Sequence, residues 1–501
     1  MSRKNNAVDK MSVNGYYQEK YRPQIHFSPP ENWMNDPNGL VYLDGEYHLF
    51  YQHNPDTTIW GPMHWGHAIS TDLLHWKHLP IALYPDSLGY IFSGSAVVDW
   101  NNTSGFGSTE NPPLIVAYTY HDMDGENQGK IKNQSQAIAY SLDKGRTWIK
   151  YKNNPVVVNP GIKDFRDPKV FWHDKSDKWI MVFAANDRVK IYSSDNLKQW
   201  TFESDFGMEI GCHESVWECP DLFPLKVLGK DECKWVLTVS IVKGGPNGGS
   251  ATQYFVGDFD GDSFIAQDSN TRWMDYGKDN YAGVTWSDIP QEDGRRIFIG
   301  WMTCIGYHNL TPTRKWRGNL TFPRELKLNS GQNGYFLTSK PIDEIDKLTR
   351  KIEVIKGGQF SGSMVISKKS KAPLKLELDF DSIEASNVAV ELTNGLGERL
   401  EVGYDNIEKR FFIDRTNAGE SDFHPDFAGV HYAPFDIKDE LLDIKMLIDV
   451  SSVELFAQDG KVVMTEYFFP HEPFNKINLI NKGGNVRLKG GQLYFLNSIW
   501  Q

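Results

Sequence analysis

Cysteine is scarce. Cys212, Cys219, Cys233 and Cys304 are the only four in 501 residues and include no Cys-x-x-Cys pair, which excludes a disulfide framework and argues against a structural zinc. No apolar run approaches the length needed to span a bilayer, so no membrane partner is expected. Positive charge is also short: 53 Lys and Arg against 65 Asp and Glu leave a net charge of -12. Nucleic acid and anionic membrane surfaces both reward clustered cations, so neither fits. A neutral ligand fits better. The leading segment MSRKNNAVDKMSVNGYYQEKYRP is basic at its start but has no hydrophobic core, so it does not read as a secretory signal. The expected location is cytoplasmic, or secreted with a leader already removed.

Stretches with helical periodicity are few, whereas alternating strand-like runs are many and aromatic residues make up 13% of the chain. Within those runs three carboxylates share one setting, each beside a proline and at the head of an apolar stretch: Asp36 in NWMNDPNGLVY, Asp167 in DFRDPKVFW and Glu218 in VWECPDLFPL. An unpaired acid costs several kcal/mol to bury, so three in one repeated hydrophobic context point to a shared polar centre. From Asp36 to the FSGS of Phe92 to Ser95, then to Asp167, Glu218 and the DYG of Asp275 to Gly277, the steps are roughly fifty to seventy residues, in the range of propeller blades. Five steps predict five blades. In each, proline is tolerated at a strand's first residue, and the strand starts converge on a central channel. Asp44-Gly45 in LVYLDGEYHLFYQ is a hairpin signal. A second echo places Ser70-Thr71-Asp72, Ser141-Leu142-Asp143 and Ser194-Asp195 ahead of Trp76, Trp148 and Trp200, which reads as capped turns between outer strands and not as catalytic acids.

The acid-proline pattern stops after about Arg324. PIDEIDKLTRKIE reads as a linker or short helix, and beyond it LKLELDF, NVAVELT, RLEVGY, KVVMTEYFF and NVRLKGGQLYFL alternate with period two, as in an antiparallel sandwich. The expected organisation is all-β: a five-bladed β-propeller over residues 22–335, a linker over 336–352 and a C-terminal antiparallel β-sandwich over 353–501, in a chain long enough for two large cores. The sandwich shows no catalytic constellation, so structural support or an accessory sugar contact is its expected role.

Carboxylates in an aromatic-lined funnel fit glycoside hydrolysis, which needs one acid ionised to attack or steady the sugar cation and another protonated to release the leaving oxygen. Glu218, between Trp217 and Cys219, has the weakly polar surroundings of the proton donor. Asp36, flanked by the amides of Asn35 and Asn38, has those of an ionised nucleophile. Arg166 is expected to pair with its neighbour Asp167 and keep it charged. Cys219 reads as a small buried side chain shaping Glu218, and His64 and His67 as packing and hydrogen-bonding residues, since their His-x-x-His lacks a third ligand nearby. No metal site is expected from these residues.

The ordered segments HFSPPENWMNDPNGL, YQHNP, WGPMHWGHAIS, FSGSAVV, FRDPKVF, WECPDLF and DYGKDNYA closely resemble the invertase, levanase and inulinase family of retaining glycoside hydrolases, and SSVELFAQDG extends the likeness into the sandwich. The resemblance implies a propeller plus sandwich that cleaves terminal β-fructofuranosyl units from sucrose or fructans without metal or cofactor. It implies that Asp36 is the nucleophile, Asp167 the transition-state stabiliser and Glu218 the acid/base. It also implies fructose-pocket roles for Asn35, Gln52, Trp60, Phe92, Ser93 and Arg166, with Asp275, Tyr276, Lys278 and Trp301 on a more variable rim. Asn280 stands where relatives carry an aromatic and is expected to border the outer subsites. Transfer of fructose to another sugar and endo-cleavage use the same three acids, and a non-catalytic fructan-binding propeller is the alternative from a different class. A homo-oligomer is compatible with the sequence.

Overall fold

In a computed structural model the protein is described over residues 16–437 and 441–500. The segment 1–15, on which most of the leader reading rests, lies outside the described residues. Five antiparallel sheets follow one another along the chain, with innermost strands Asn32–Leu43, Tyr90–Val98, Phe165–His173, Trp217–Lys226 and Tyr281–Thr285. These are the five blades. The ring closes through main-chain bonds between the last blade and the first: Ser287 N donates to Leu40 O (2.9 Å), Tyr42 N donates to Ser287 O (3.0 Å), and Trp316–Arg317 pairs in parallel with Asn32 and Trp33. Large apolar side chains such as Trp65, Trp217 and Trp286 fill the blades. The first hairpin turns on Asp44 (φ 48°) and Gly45 (φ 88°), the two left-handed residues of a two-residue loop.

The prolines of the acid motifs are not first residues of strands. Each lies at or beside a β-bulge within an innermost strand: the register slips between Met34 and Pro37, across Asp167 and Pro168, and between Glu218 and Asp221. The second and fifth blades slip at the same level, between Ile91 and Gly94 and between Tyr281 and Val284. A bulge leaves a backbone position out of the ladder, so proline costs nothing there, and it re-aims the neighbouring side chain. Asp167 (φ 68°), Cys219 (φ 47°) and Ala282 (φ 53°) take the left-handed conformation at these slips. That conformation costs a non-glycine residue roughly 1–2 kcal/mol. Among the outer turns, Asp72 and Asp143 cap as expected, accepting from the backbone N–H of Leu74 and His75 and of Arg146 and Thr147. In the third, the capping side chain is Asn196, which accepts from Lys198 and Gln199, and not Asp195.

The propeller's last strand runs Gly334–Pro341, a 3-10 turn occupies Asp343–Leu348, and the first sandwich strand begins at Thr349. Two six-stranded sheets then pack face to face; Leu374, Leu376, Leu378 and Phe380 point into the core while Asp379 between them is exposed.

The DYG segment belongs to the junction of the two domains. Tyr276 N donates to Val463 O (2.8 Å) and Asp279 N to Thr465 O (3.1 Å), so the segment adds main-chain bonds to the edge strand Val462–Tyr467 of the sandwich and covers that edge. Gly277 is required there, since a Cβ would stand 2.2 Å from the Thr465 backbone. Beside it, His26 lies between Asp449 Oδ2 and Glu454 Oε1, both at 2.7 Å, and Arg324 bonds Glu454 and Asp275. Although burial opposes charge on His26, the two carboxylates raise its pKa to about 9, while Arg324 and His26 lower that of Glu454 to about 2 against its burial. A folded value above the unfolded one near 6.5 means that His26 stabilises the fold fully below about pH 6.5 and that this contribution is lost as pH rises through about 9. The thermal midpoint is therefore expected to fall between pH 7 and pH 10, and His26→Gln should flatten that slope. An equally steep slope in the variant would rule out His26 as its source.

Candidate active site

The bulges turn Asp36, Asp167 and Glu218 into one cavity of about 390 Å³ at the centre of the propeller, where Asn35, Gln52, Trp60, Phe92, Ser93, Arg166 and Trp301 also line the wall. Ten of the thirteen site residues expected from the sequence thus meet. The other three do not: Asp275 is buried against Arg324 and Thr465, Lys278 Nζ donates to Asp426 O (2.9 Å) in the sandwich, and Tyr276 lines a separate cavity of about 490 Å³ beside the sandwich. Asn280 is likewise buried, donating to Asp275 Oδ2 at 3.0 Å, and does not line this cavity.

Asp36 Oδ2 accepts from Ser93 Oγ (2.6 Å) and faces Cys219 Sγ at 3.5 Å; its Oδ1 accepts from Asn35 Nδ2 (3.2 Å). The same sulfur stands 3.6 Å from Asp167 Oδ2, which also accepts from Cys219 N at 2.9 Å. Cys219 therefore sits between two carboxylates, and burial together with Asp167, Asp36 and Glu218 pushes its thiol far up, keeping it protonated. It is a donor to the acids and not a nucleophile. Asn38 does not reach the cavity; its Oδ1 accepts from Gln52 Nε2 (2.7 Å) and holds that side chain from behind.

Arg166 does not pair chiefly with its sequence neighbour. Its Nε and Nη2 both donate to Glu218 Oε1 (3.1 and 2.9 Å) and Nη1 to Asp164 (2.6 Å), whereas Asp167 Oδ2 lies 4.0 Å away. The other Glu218 oxygen accepts from the buried hydroxyl of Tyr281. Both Glu218 oxygens are thus held. Burial raises the Asp36 carboxyl to about 6, and the donors Ser93, Asn35 and Cys219 offset it only in part, against Glu218. Burial likewise raises Asp167 to about 7, Arg166 opposing and the other two acids adding to the effect. Contrary to the expectation from the sequence, the amide donors beside Asp36 do not by themselves secure its charge; desolvation is the larger effect.

Nine of the lining residues were not singled out from the sequence, among them Tyr281, His121 and His308. Tyr281 lay inside DYGKDNYA, and its place at the fifth bulge, level with the acids, is visible only in the fold. His121 stacks on Phe92 (ring centroids 4.2 Å), and His308 packs edge-on to Trp33 and Trp301; both line the cavity. Of the histidines read as structural, His67 pairs with His48 at 3.0 Å and His64 with Pro62 O at 3.0 Å. Among the described residues no helix is long and apolar enough to cross a membrane.

The family model described as "Glycosyl hydrolases family 32 N-terminal domain" matches residues 26–341, and "Glycosyl hydrolases family 32 C terminal" matches residues 342–494. A levanase of Bacillus subtilis (strain 168) is 46% identical over 97% of this chain and 72% of its own length. The crystal structure of an exo-inulinase from Aspergillus awamori superposes with a TM-score of 0.88 at 36% identity, covering 97% of this chain and 100% of that one. The structure of a β-fructofuranosidase from Schwanniomyces occidentalis complexed with fructosyl-erythritol does so with a TM-score of 0.87 at 32% identity, covering 96% and 99%. Matched in both its domains, this chain belongs to glycosyl hydrolase family 32.

Proposed function

We propose that the protein is a retaining β-fructofuranosidase that releases terminal β-D-fructofuranosyl units from sucrose or fructans. The observation that carries this reading is the meeting of Asp36, Asp167 and Glu218 around one cavity, with Ser93 and Cys219 on the first and Arg166 and Tyr281 on the third. Asp36 attacks the anomeric carbon while Glu218 gives its proton to the glycosidic oxygen. The leaving sugar departs and a covalent fructosyl-enzyme remains. Glu218, now a carboxylate, takes a proton from water, which displaces Asp36 and frees fructose. Asp167 accepts from ring hydroxyls and strengthens its hold as the sugar becomes cationic. The relatives named levanase and exo-inulinase, and the neighbour bound to a fructosyl compound, support this substrate class.

Product analysis on sucrose, raffinose, inulin and levan tests the proposal. Free fructose as the sole fructan product is expected; ladders of short fructans would indicate endo-cleavage and elongated products transfer. The titration of the two aspartates adds a second expectation. Asp167 must be ionised to steady the cation and Asp36 to attack, so kcat/KM should fall as pH drops through about 7, the Asp167 value, and further below about 6, the Asp36 value. Ser93 lowers the Asp36 value, so Ser93→Ala should move the lower step of the acid limb to higher pH; a step that stays put would remove Asp36 as the group it reports.

A further inference from the structure

We infer that Arg415, in the sandwich, positions the leaving-group wall of the propeller's active site through Tyr307. The inference rests on the β-fructofuranosidase reading and gives the second domain a part in the reaction. Residues 302–315 connect the strands Arg296–Trp301 and Trp316–Arg317, and from this loop Ile305, His308 and Asn309 line the catalytic cavity. His308 packs edge-on to Trp301 (ring centroids 5.8 Å), whose ring lies 6.5 Å from that of Tyr281, the donor to Glu218, and Glu218 is the group that protonates the departing sugar. Asn309 Oδ1 accepts from Trp60 N (2.9 Å), which ties the loop to the adjoining loop of the first blade that carries Trp60. This wall is therefore where the leaving sugar rests.

Tyr307, between those residues, turns away from the cavity and is 1% exposed. Its hydroxyl donates to Asp279 Oδ1 (2.5 Å) and accepts from Arg415 Nη2 (2.9 Å). Its ring packs edge-on against Phe427 of the sandwich, centroids 5.4 Å apart. Arg415 is fully buried and spans the junction, with Nη1 on Asp279 Oδ2 (2.5 Å) and Glu466 Oε2 (2.7 Å) and Nε on Phe427 O (2.7 Å). A guanidinium held on every side by carboxylates and carbonyls has one place to be, and the hydroxyl it grips is one residue from His308 and two from Asn309. A planar fork fixes direction as a lysine ammonium cannot. The wall's position is thereby referred to the sandwich, not to the propeller alone.

Tyr307→Phe deletes the hydroxyl, keeps the ring and leaves the Arg415–Asp279 pair in place, so it folds where Arg415→Met, with two stranded carboxylates, need not. For 1-kestose, whose leaving group is a disaccharide, KM should rise about five- to ten-fold with kcat nearly unchanged, the effect of losing one positioning hydrogen bond. For β-D-fructofuranosyl fluoride, whose leaving group is a single atom that touches no wall, both constants should stay within about two-fold. Asn309→Ala and the double variant with Tyr307→Phe should lose similar amounts on 1-kestose, since both act through one contact. Equal losses on the two substrates, no loss on either, or additive losses in the double variant would each overturn the inference. A wild type inert toward every fructoside would overturn it together with the proposed activity, whereas an active wild type beside an indifferent Tyr307→Phe overturns this inference alone.

Discussion

Asp36→Ala is expected to lower kcat/KM on sucrose by on the order of 10⁵ or more, because the first chemical step then has no nucleophile. The same change should stabilise the protein at alkaline pH. Burial raises the folded carboxyl to about 6, above its unfolded value near 3.9. The folded state therefore binds the proton more tightly, and stability falls as pH rises from about 4 through about 6. Two pK units correspond to about 3 kcal/mol, an upper figure since Asn35 and Ser93 lose a partner in the variant. Asp36→Asn, which keeps shape and removes the charge, should melt above wild type at pH 8 and close to it at pH 4. A variant that melts lower than wild type by the same margin at both values would contradict the titration behind the mechanism. Asp167, raised to about 7, works in the same direction. A site with two carboxyls desolvated in this way trades stability for reactivity.

The second large effect is expected at Glu218. Glu218→Ala removes the proton donor and should cost roughly a thousandfold or more on sucrose, whose leaving alkoxide needs that proton. On β-D-fructofuranosyl fluoride the first step should be largely restored, since fluoride departs with far less help. Breakdown of the fructosyl-enzyme still lacks its base, so turnover stays slow and an initial burst appears. Arg166 does not become an orphan in the variant, because Asp164 at 2.6 Å and Gln134 at 3.4 Å still accept from it. Equal losses on sucrose and fluoride would assign Glu218 a structural role and remove it from proton transfer.

Much of this site was legible from the motifs because the acids recur with the blades. What was not legible has physical causes. Arg166 and Asp167 are adjacent and the bulge turns both into the cavity, but each finds its partner on the next blade, Asp167 at Cys219 N and Arg166 at Glu218, which sequence adjacency does not reveal. Asp275, Tyr276 and Lys278 share the blade spacing and were expected at the rim. Their partners Thr465, Val463 and Asp426 lie in the sandwich, and nothing local says that the segment will pair with a strand some 190 residues on. The packing glycine, Gly277, carried that information, since glycine marks close backbone approach as readily as a turn. The alternation of LKLELDF predicted the sandwich face correctly because a strand's period of two is a local property. Ser194-Asp195 misled by one position: in the Ser-x-Asp frame of the earlier turns the capping residue is Asn196, which can accept as aspartate does.

The central claim is a covalent intermediate on Asp36 whose release depends on Glu218. It is tested most directly by mixing Glu218→Ala with β-D-fructofuranosyl fluoride, quenching in acid and mapping the digested protein by mass spectrometry. One fructosyl unit is predicted on the strand Asn32–Leu43, at Asp36, in an amount matching the burst of fluoride. Fluoride released with no sugar on the protein, or a fructosyl unit attached to any other residue, would contradict the account.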